Sequence, residues 1–272
     1  MQKTILITGS TDGIGFETAK TLVKDGHNVL VHGRNEEKLM QAVDFLKGLS
    51  GGGQVSSYLA DLSELVQVEA FAQRVLAEHN SIDALINNAG VYVVPNSVTS
   101  EGLDTRFVVN TIAPFLLTKK LLPIIPERGR VVNLSSAAQA PFSPEFLTRP
   151  SHSPDNQVYA QSKLAITMWT HSLAVEAIAQ NKVIVAVNPK SLLGSKMVKE
   201  AYGISGGSLS LGADILIRAS LSQEFANASG LYFDNDIGQF AQPYADATNM
   251  EKCLLVQRTI EQVLESTSAK FA

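Results

Sequence analysis

Short apolar segments alternate with longer amphipathic segments along most of the chain. The apolar segments are rich in β-branched residues and predict strands at 5–8, 28–33, 55–60, 82–88, 129–136, 183–188 and 231–233. The segments between them predict helices at 14–24, 36–47, 63–78, 103–122 and 157–179. Nearly continuous apolar strands are typical of a parallel sheet covered on both faces. The pattern therefore predicts an α/β Rossmann fold with a doubly wound, mostly parallel seven-stranded sheet and helices on both faces.

No break in composition, charge block or internal repeat divides the chain, so residues 1–272 are expected to form a single domain. Two irregular stretches interrupt the alternation, a proline-rich one at 139–156 and a glycine-rich one at 190–208. Because doubly wound sheets bind ligands at the carboxyl ends of their strands, we expect both to be substrate-side loops. The alternative is that they are plain surface insertions.

Composition excludes several classes of function. A formal net charge of −4 gives no electrostatic reason to expect a nucleic acid or an anionic membrane as a partner. The single cysteine, Cys253, excludes an internal disulfide framework and a thiolate metal cluster, and no metal site is expected. The N-terminal segment does not resemble a signal peptide, and no stretch is expected to reach the ~18 to 20 apolar residues of a membrane span. We therefore expect a cytoplasmic protein without a membrane partner.

A glycine-rich turn lies between the first predicted strand and the first predicted helix. Gly9 permits a tight turn, Gly13 lets the backbone approach a pyrophosphate, and Gly15 lets the helix pack close to the strand. The helix then offers free N–H groups to the phosphates. This placement predicts a dinucleotide site, and its candidate residues are Gly9, Ser10, Thr11, Asp12, Gly13, Ile14 and Gly15.

The end of the second strand bears on the choice between NAD and NADP. It carries Gly33, Arg34 and Asn35 in place of the carboxylate that would bind a ribose 2′-hydroxyl. A guanidinium suits a 2′-phosphate, so NADP(H) is favoured, with NAD(H) not excluded. Arg34 could instead be a solvated loop charge. Asp12 would repel that phosphate unless it caps the following helix with its charge turned away.

Six features along the chain resemble, in the same order, the motifs of the short-chain dehydrogenase/reductase family. They are TGSTDGIG (8–15), NNAG (87–90), Asn110, the LSS that ends at Ser136, YAQSK (159–163) and the segment at Pro189. The resemblance implies that Tyr159 exchanges a proton with the substrate and that Ser136, with Ser135 as the competing choice, hydrogen-bonds the substrate oxygen. It also implies that Lys163 holds the nicotinamide ribose. Asn110 would kink its helix and position a water, the alternative being an ordinary helix asparagine.

The spacing of Tyr159 and Lys163 has a physical reading of its own. Residues four apart share one face of a helix, so the two side chains point the same way. A phenol has a reference pKa of about 10, which is too high for easy proton exchange near neutrality. A neighbouring ammonium favours the phenolate, so we expect Lys163 to lower the pKa of Tyr159.

The same resemblance implies further cofactor contacts. Besides the glycine turn and the end of the second strand, the expected cofactor contacts are Tyr159, Lys163, Asp61, Leu62, Asn88, Ala89, Gly90, Pro189, Leu192 and Ser195. For Asp61 the alternative is that it caps the helix predicted to begin near Ser63.

Two departures from the family's pattern stand out. Lys190 follows Pro189 where the family usually has glycine, and lysine tolerates positive φ poorly, so the loop is reshaped or Lys190 reaches the cofactor phosphates. The segment between Ser136 and Tyr159 is longer than usual and resembles the retinol-dehydrogenase-like and WW-domain-oxidoreductase-like branch. Its apolar residues are expected to roof an apolar pocket; they are Pro141, Phe142, Pro144, Phe146 and Leu147.

These features predict an NADP(H)-dependent oxidoreductase that interconverts an alcohol and a carbonyl of a fairly apolar small molecule. Two alternatives use the same scaffold, namely a dinucleotide-sensing regulatory protein and a lyase or epimerase that oxidises its substrate transiently. Family members commonly pair through the helices that hold Asn110 and Tyr159, so the resemblance implies a homodimer or homotetramer.

Overall fold

An eight-stranded sheet forms the centre of the computed structural model, which describes residues 1–176 and 179–271. The strand order is β3-β2-β1-β4-β5-β6-β7-β8. The strands are β1 (Thr4–Ile7), β2 (Asn28–Gly33), β3 (Val55–Leu59), β4 (Ala84–Asn87), β5 (Arg130–Leu134), β6 (Val183–Asn188), β7 (Tyr232–Asp234) and β8 (Gln239–Ala241). The first seven strands pair in parallel, as the apolar pattern predicts.

The predicted count of seven strands is one too low. Strand β8 pairs antiparallel with β7, so that Asp234 lies opposite Gln239 across a tight hairpin. Gly238 in that hairpin has a φ of 69°, a conformation that glycine adopts without strain. A three-residue strand, QFA, is too short to show a periodicity, which is why the hydrophobic pattern does not reveal it.

Helices cover both faces of the sheet. They are α1 (Gly13–Lys24), α2 (Glu36–Lys47), α3 (Leu65–Glu78), α4 (Thr105–Phe107), α5 (Ala113–Leu121), α6 (Asp155–Leu173), α7 (Lys196–Tyr202), α8 (Leu209–Leu221) and α9 (Met250–Phe271). A π-helical turn, Val108–Ile112, joins α4 to α5. Helices α1, α2 and α8 bury their apolar sides in one core cluster, whereas α3, α5, α6 and α9 contribute to the other.

Several predicted helix boundaries are wrong. The helix predicted at 157–179 ends at Leu173, where the backbone tightens and Val175 N donates to Ser172 O; residues 177–178 of that prediction lie outside the described residues. The predicted glycine-rich loop at 190–208 contains α7, and the pattern did not predict α8 or α9.

Helix α9 lies along α6 and closes the core on that side. Cys253, Val256 and Ile260 of α9 are fully buried in the same cluster as Trp169 of α6. Burial raises the pKa of the Cys253 thiol to about 11, as is typical of a packed cysteine rather than a nucleophile.

The segment 139–156 does not roof the ligand pockets. Leu147 is fully buried, Phe142 and Phe146 pack against the same core cluster, and Phe142 contacts Phe107 at a ring distance of 5.8 Å. None of its residues lines either of the two pockets at the sheet edge described below. The expectation of an apolar roof is therefore wrong. Apolar side chains of this segment pack in the core against α9 and α4 instead, where they are shielded from water.

One stretch within the described residues, Thr105–Ile124, is long and apolar enough to cross a membrane by length and composition. This differs from the expectation that no stretch reaches such a length. Within it, 78% of the most apolar window is buried inside the fold, as in the core helix of a covered sheet.

Candidate active site

A cleft of about 590 Å³ opens at the carboxyl ends of β1 to β6. Its volume falls in the range of cofactor sites, and its place is the one expected for a doubly wound sheet. The sequence-predicted residues that line it are Gly9, Thr11, Asp12, Gly13, Ile14, Gly33, Arg34, Asn35, Asp61, Leu62, Asn88, Ala89, Gly90, Tyr159, Lys163, Pro189 and Ser195.

The glycine turn has the geometry that its sequence predicts. Gly9 and Gly13 have positive φ angles of 64° and 57°. A Cβ on Gly9 would lie 2.9 Å from the Cα of Ala89, so only glycine lets the turn pack against the end of β4. A Cβ on Gly13 would meet nothing closer than Ser195 at 3.9 Å, which leaves the turn open toward the cleft. A Cβ added to Gly15 would lie 2.4 Å from the carbonyl oxygen of Gly9, so a side chain at this position would clash with the turn.

The start of α1 supplies free donors to the cleft. Asp12 caps the helix, and its carboxylate accepts a hydrogen bond from Gly13 N at 2.7 Å, as the capping interpretation proposes. In the described part of the chain, nothing accepts from the backbone N–H of Ile14 or Gly15. Such N–H groups at a helix N-terminus fit the pyrophosphate of a dinucleotide.

Tyr159 and Lys163 lie one turn apart on α6 and both line the cleft. Ser136 and Tyr159 line the same smaller pocket beside the cleft, and the interaction of Ser136 with the phenol acts to lower the pKa of Tyr159. The Oγ of Ser135 instead donates to Lys163 O at 3.2 Å and lies 2.6 Å from Thr167 Oγ1. Ser135 is therefore occupied within the protein, and the geometry favours Ser136 as the serine that acts beside the tyrosine.

Burial controls the protonation of this pair. It raises the pKa of Tyr159 to about 12, although the interaction with Ser136 acts in the opposite direction. It lowers the pKa of Lys163 to about 8, so most of the lysine is still charged at pH 7. The Lys163 Nζ donates to Leu134 O at 2.7 Å and lies 5.7 Å from the centre of the Tyr159 ring. The predicted lowering of the pKa of Tyr159 is thus not seen, because loss of solvent raises this pKa more than the interaction with Ser136 lowers it.

Asn110 lies in the π-helical turn and is fully buried behind the cleft. Its Nδ2 donates to Val91 O at 2.9 Å and to Ser162 Oγ at 3.0 Å, while its Oδ1 accepts from Val91 N at 2.8 Å. A Cβ on Gly90 would lie 3.4 Å from Asn110 Oδ1 and 3.5 Å from Lys163 Nζ. The local kink implied by the family resemblance is therefore present, and it brings Asn110 close to Lys163.

Comparison with known proteins agrees with this geometry. Residues 3–202 match the family described as short chain dehydrogenase. Retinol dehydrogenase 12 of Mus musculus is 34% identical over 86% of this chain and 78% of its own length. Retinol dehydrogenase 13 of Homo sapiens is 28% identical over 98% of this chain and 87% of its own.

The chain belongs to the short-chain dehydrogenase family. It is an oxidoreductase that acts on a CH–OH/C=O pair and resembles the retinol-dehydrogenase-like branch.

Solved structures place this short-chain dehydrogenase in the same fold. A protein of Mycobacterium paratuberculosis superposes with a TM-score of 0.77 at 26% identity, covering 97% of this chain and 94% of its own. A short-chain dehydrogenase of Shigella flexneri 2a complexed with NADP superposes with a TM-score of 0.68 at 27% identity, covering 86% and 96%. Family and neighbours together support a nicotinamide dinucleotide as the cofactor.

Cations lie at the adenosine end of the dehydrogenase's cleft. Arg34 is exposed there and makes no ion pair within the described residues. Asn35 caps α2 by accepting from Lys38 N at 2.9 Å, and Lys38 also lines the cleft. Asp61 lines it as well. Its carboxylate accepts from the N and Oγ of Ser63, but α3 begins at Leu65 without a side-chain cap, so Asp61 does not cap this helix.

The loop after β6 has backbone angles that favour glycine, although it carries Lys190 where the family usually has glycine. Lys190 has a φ of 119° and Leu192 a φ of 54°, both in the region that favours glycine. Ser191 between them donates its N–H to Asp236 Oδ1 at 2.9 Å, which ties the loop to the β7–β8 hairpin. Lys190 and Leu192 line a smaller pocket beside the cleft and not the cleft itself. The loop is therefore held by its contact with the hairpin, and the backbone strain falls on Lys190 and Leu192.

Three predicted cofactor or catalytic residues line neither the cleft nor the smaller pocket. Ser10 is fully buried, and its Oγ donates to Ile7 O at 2.8 Å. Gly15 and Asn110 are packed behind the cleft, as described above. Asn88 does line the cleft, but its Nδ2 donates to Thr8 O at 2.8 Å and to Gly9 O at 2.9 Å, so it also fixes the glycine turn.

Several residues of the cleft and of the smaller pocket were not predicted from the sequence. Lys38 lies in the first turn of α2, four residues after Arg34, and its nearness in sequence to that predicted cation was the available signal. Tyr92 and Tyr202 come from segments far apart in the chain and meet across the site, with ring centres 6.1 Å apart. No local pattern predicts such a contact. His32, on β2, also lines the cleft.

Proposed function

We propose that this short-chain dehydrogenase reduces a fairly apolar aldehyde or ketone, or oxidises the matching alcohol, with NADP(H). The observation that carries the proposal is the position of Ser136 and Tyr159 in the wall of one pocket, with Lys163 one turn further along α6. A donor pair aimed at one point suits an oxygen that gains negative charge during reduction. When bound, the dinucleotide supplies or accepts the hydride.

The chain's own residues handle the oxygen and the proton. Ser136 holds the substrate oxygen, and Tyr159 donates its hydroxyl proton to that oxygen during reduction. A buried phenol whose pKa is raised to about 12 is fully protonated near neutrality, so it is ready to donate. The charged form of Lys163 stabilises the phenolate that remains, because opposite charges attract more strongly in a site from which water is excluded. Asn110 fixes Val91 and Gly90 around the lysine ammonium.

The preference for NADP(H) rests on the charges at the adenosine end of the cleft. Arg34 and Lys38 both line that end, and the residues that close β2 carry no carboxylate. Two cations there favour a 2′-phosphate over a ribose hydroxyl. Asp12 would oppose the phosphate, but its carboxylate is engaged with the start of α1.

The preference for an apolar substrate rests on the smaller pocket of about 180 Å³ beside Tyr159 and Ser136. Its walls include apolar and aromatic side chains, which are Tyr92, Leu192, Met197, Val198 and Tyr202. The ring of Tyr92 lies 4.9 Å from that of Tyr159. Burying apolar ligand surface in such a pocket is favourable. The relatives named for retinol, an apolar alcohol, point the same way.

Replacing Tyr159 by Phe tests the chemistry. The Tyr159→Phe protein should still bind NADPH and lose turnover by about two orders of magnitude or more, since the proton donor is gone. The measurement is NADPH consumption with a panel of aldehydes and ketones of increasing apolar size, repeated with NADH. Tyr58→Phe, on β3 with its hydroxyl bonded to Glu78, is the matched control and should keep full turnover.

Two outcomes of this assay contradict the proposal. Near-normal turnover of Tyr159→Phe would exclude the tyrosine as proton donor. Product formation by the unaltered enzyme without net change in nicotinamide absorbance would favour a lyase or epimerase, and binding without any turnover would favour a dinucleotide sensor.

We propose that the enzyme works in the cytoplasm with a small-molecule partner and no membrane. Composition supports this proposal, since the chain is slightly acidic and has one cysteine, which is free and buried. The homodimer or homotetramer implied by family resemblance would need helices α5 and α6, whose apolar residues are already buried within one chain.

A further inference from the structure

His32 lies on β2, buried between the end of β1 and the end of β3. Its Nδ1 is 3.0 Å from Gly9 N, and its Nε2 is 3.1 Å from Ala60 O. The amide N–H of Gly9 can only donate, and the carbonyl of Ala60 can only accept. The imidazole must therefore be neutral, with its proton on Nε2 and a bare Nδ1 facing the glycine turn.

The backbone of His32 reinforces the same connection. Its carbonyl accepts from Ser10 N at 2.9 Å, and its N–H donates to Ser10 Oγ at 2.9 Å. The ring stacks on Phe71 of α3, with centres 4.9 Å apart and planes at 19°. One residue thus joins the glycine turn to β2, to the end of β3 and to the layer of helices below.

The remaining supports of the turn hold a different side of it. Asn88 holds the carbonyl oxygens of Thr8 and Gly9. Within the described residues, His32 Nδ1 is the acceptor for the N–H of Gly9. Without it that N–H would be unpaired in a half-buried position, and a buried unpaired donor is costly enough to make the turn move.

We infer that His32 is a positioning residue for the dinucleotide: its neutral ring fixes the glycine turn in the conformation that receives the pyrophosphate. The ring reaches the end of β3 as well, so it sets the distance between the phosphate-binding turn and the adenosine-binding residues at Asp61. The inference depends on the dinucleotide site and is independent of the substrate, of the NADP preference and of proton transfer by Tyr159.

Two conservative variants separate the two nitrogens of the ring. Asn places a carbonyl oxygen near the position of Nδ1 and can still accept from Gly9 N–H. Gln reaches further, so it can replace the donor to Ala60 O but not the acceptor for Gly9. His32→Gln should therefore raise the Kd for NADPH about tenfold, whereas His32→Asn should stay within about threefold of the unaltered protein.

The affinity is measured by the fluorescence of bound NADPH, and kcat is measured at saturating NADPH. Both variants should keep kcat within about twofold, because Tyr159 and Lys163 are untouched. A second readout needs no cofactor: amide hydrogen exchange at Gly9 should quicken in His32→Gln and remain slow in His32→Asn. His171→Ala is the matched control, since its ring also contacts a backbone carbonyl, Gly230 O at 3.1 Å, away from the turn.

An unchanged Kd in His32→Gln would overturn the inference. So would equal weakening in His32→Asn and His32→Gln, or the same weakening in His171→Ala, because either result would indicate a general loss of stability. Failure of the proposed function is distinguishable, since it would appear as absent turnover in a protein whose NADPH affinity still depends on the residue at position 32.

Discussion

The protonation and hydrogen bonding of individual side chains in this site depend on burial as much as on neighbouring residues. The four residues Asn110, Ser136, Tyr159 and Lys163 were predicted from motifs, and they lie close together. Tyr159 and Lys163 line the cleft, Ser136 lines the pocket beside it, and Asn110 is buried near Lys163. Their protonation could not be read from spacing, because it depends on how much water the fold removes from Tyr159 and Lys163. The same holds for Ser10, whose sequence position suggests a ligand contact but whose hydroxyl is bonded inside the turn.

Lys190 carries backbone strain that glycine would not. Its φ of 119° is unfavourable for a residue with a Cβ, and such positions cost of order 1 kcal/mol or more. Lys190→Gly should therefore raise the free energy of unfolding by about 1 kcal/mol, after the greater freedom of glycine in the unfolded chain is subtracted.

Chemical denaturation with unchanged m-value would measure the gain. Lys196→Gly is a useful contrast, because Lys196 begins α7 in ordinary helical conformation and should lose stability on the same change. A loss of stability in Lys190→Gly would show that the lysine side chain contributes more than its backbone costs.

At the level of elements, a buried ion network connects the two helical segments that carry the catalytic residues. Nε and Nη2 of Arg106 donate to the two oxygens of Asp104 at 2.9 and 2.8 Å, and Nη1 donates to Asp155. Arg106 lies one turn before Asn110, and Asp155 one turn before Tyr159. The network thus sets the start of α6 relative to the π-helical turn.

Arg106→Met should lower the free energy of unfolding by about 3 to 5 kcal/mol, because it leaves the fully buried Asp104 without its counter-charge. Thermal or denaturant unfolding measures the loss. The exposed pair of Arg149 and Glu145 provides the control, and Arg149→Met should change stability by less than about 1 kcal/mol. Equal effects of the two substitutions would contradict a special role for the buried network.

Strands were easier to predict than helices in this chain. Strands β2 and β6 begin and end where the apolar runs do, since a strand buried on both faces shows an uninterrupted apolar run. Helix α9 was missed although Cys253, Val256 and Ile260 follow a helical period, because no motif drew attention to that segment. The end of α6 could not be predicted, as its apolar pattern continues past the point where the backbone turns.

At the scale of the whole molecule, the position of α9 determines which surfaces are free to contact a second copy of the chain. None of the large apolar side chains exposed in the described part of the chain lies on α5 or α6. Lys119 of α5 is also paired with Glu176 and Glu261, which adds polar contacts across the same side. A second copy pairing through α5 and α6 would have to displace α9 and expose its buried residues.

We therefore expect a monomer in solution, with light scattering giving a mass near 29 kDa for this 29.2 kDa chain. Apolar area buried between copies is the usual basis of a stable dimer, and this face has none to offer. A mass of twice that value, unchanged on dilution, would show that copies pair through another surface, such as the outer side of α9 or the edge of β8.

The position of α9 after α6 in the chain also imposes an order on synthesis. Helix α6 is made before the residues that cover it, so the apolar side of the helix bearing Tyr159 and Lys163 stays exposed to water until α9 has been made. Partly made chains with such an exposed apolar face are prone to aggregation and to chaperone binding. The helix that bears Tyr159 and Lys163 therefore completes its packing only when α9 is present.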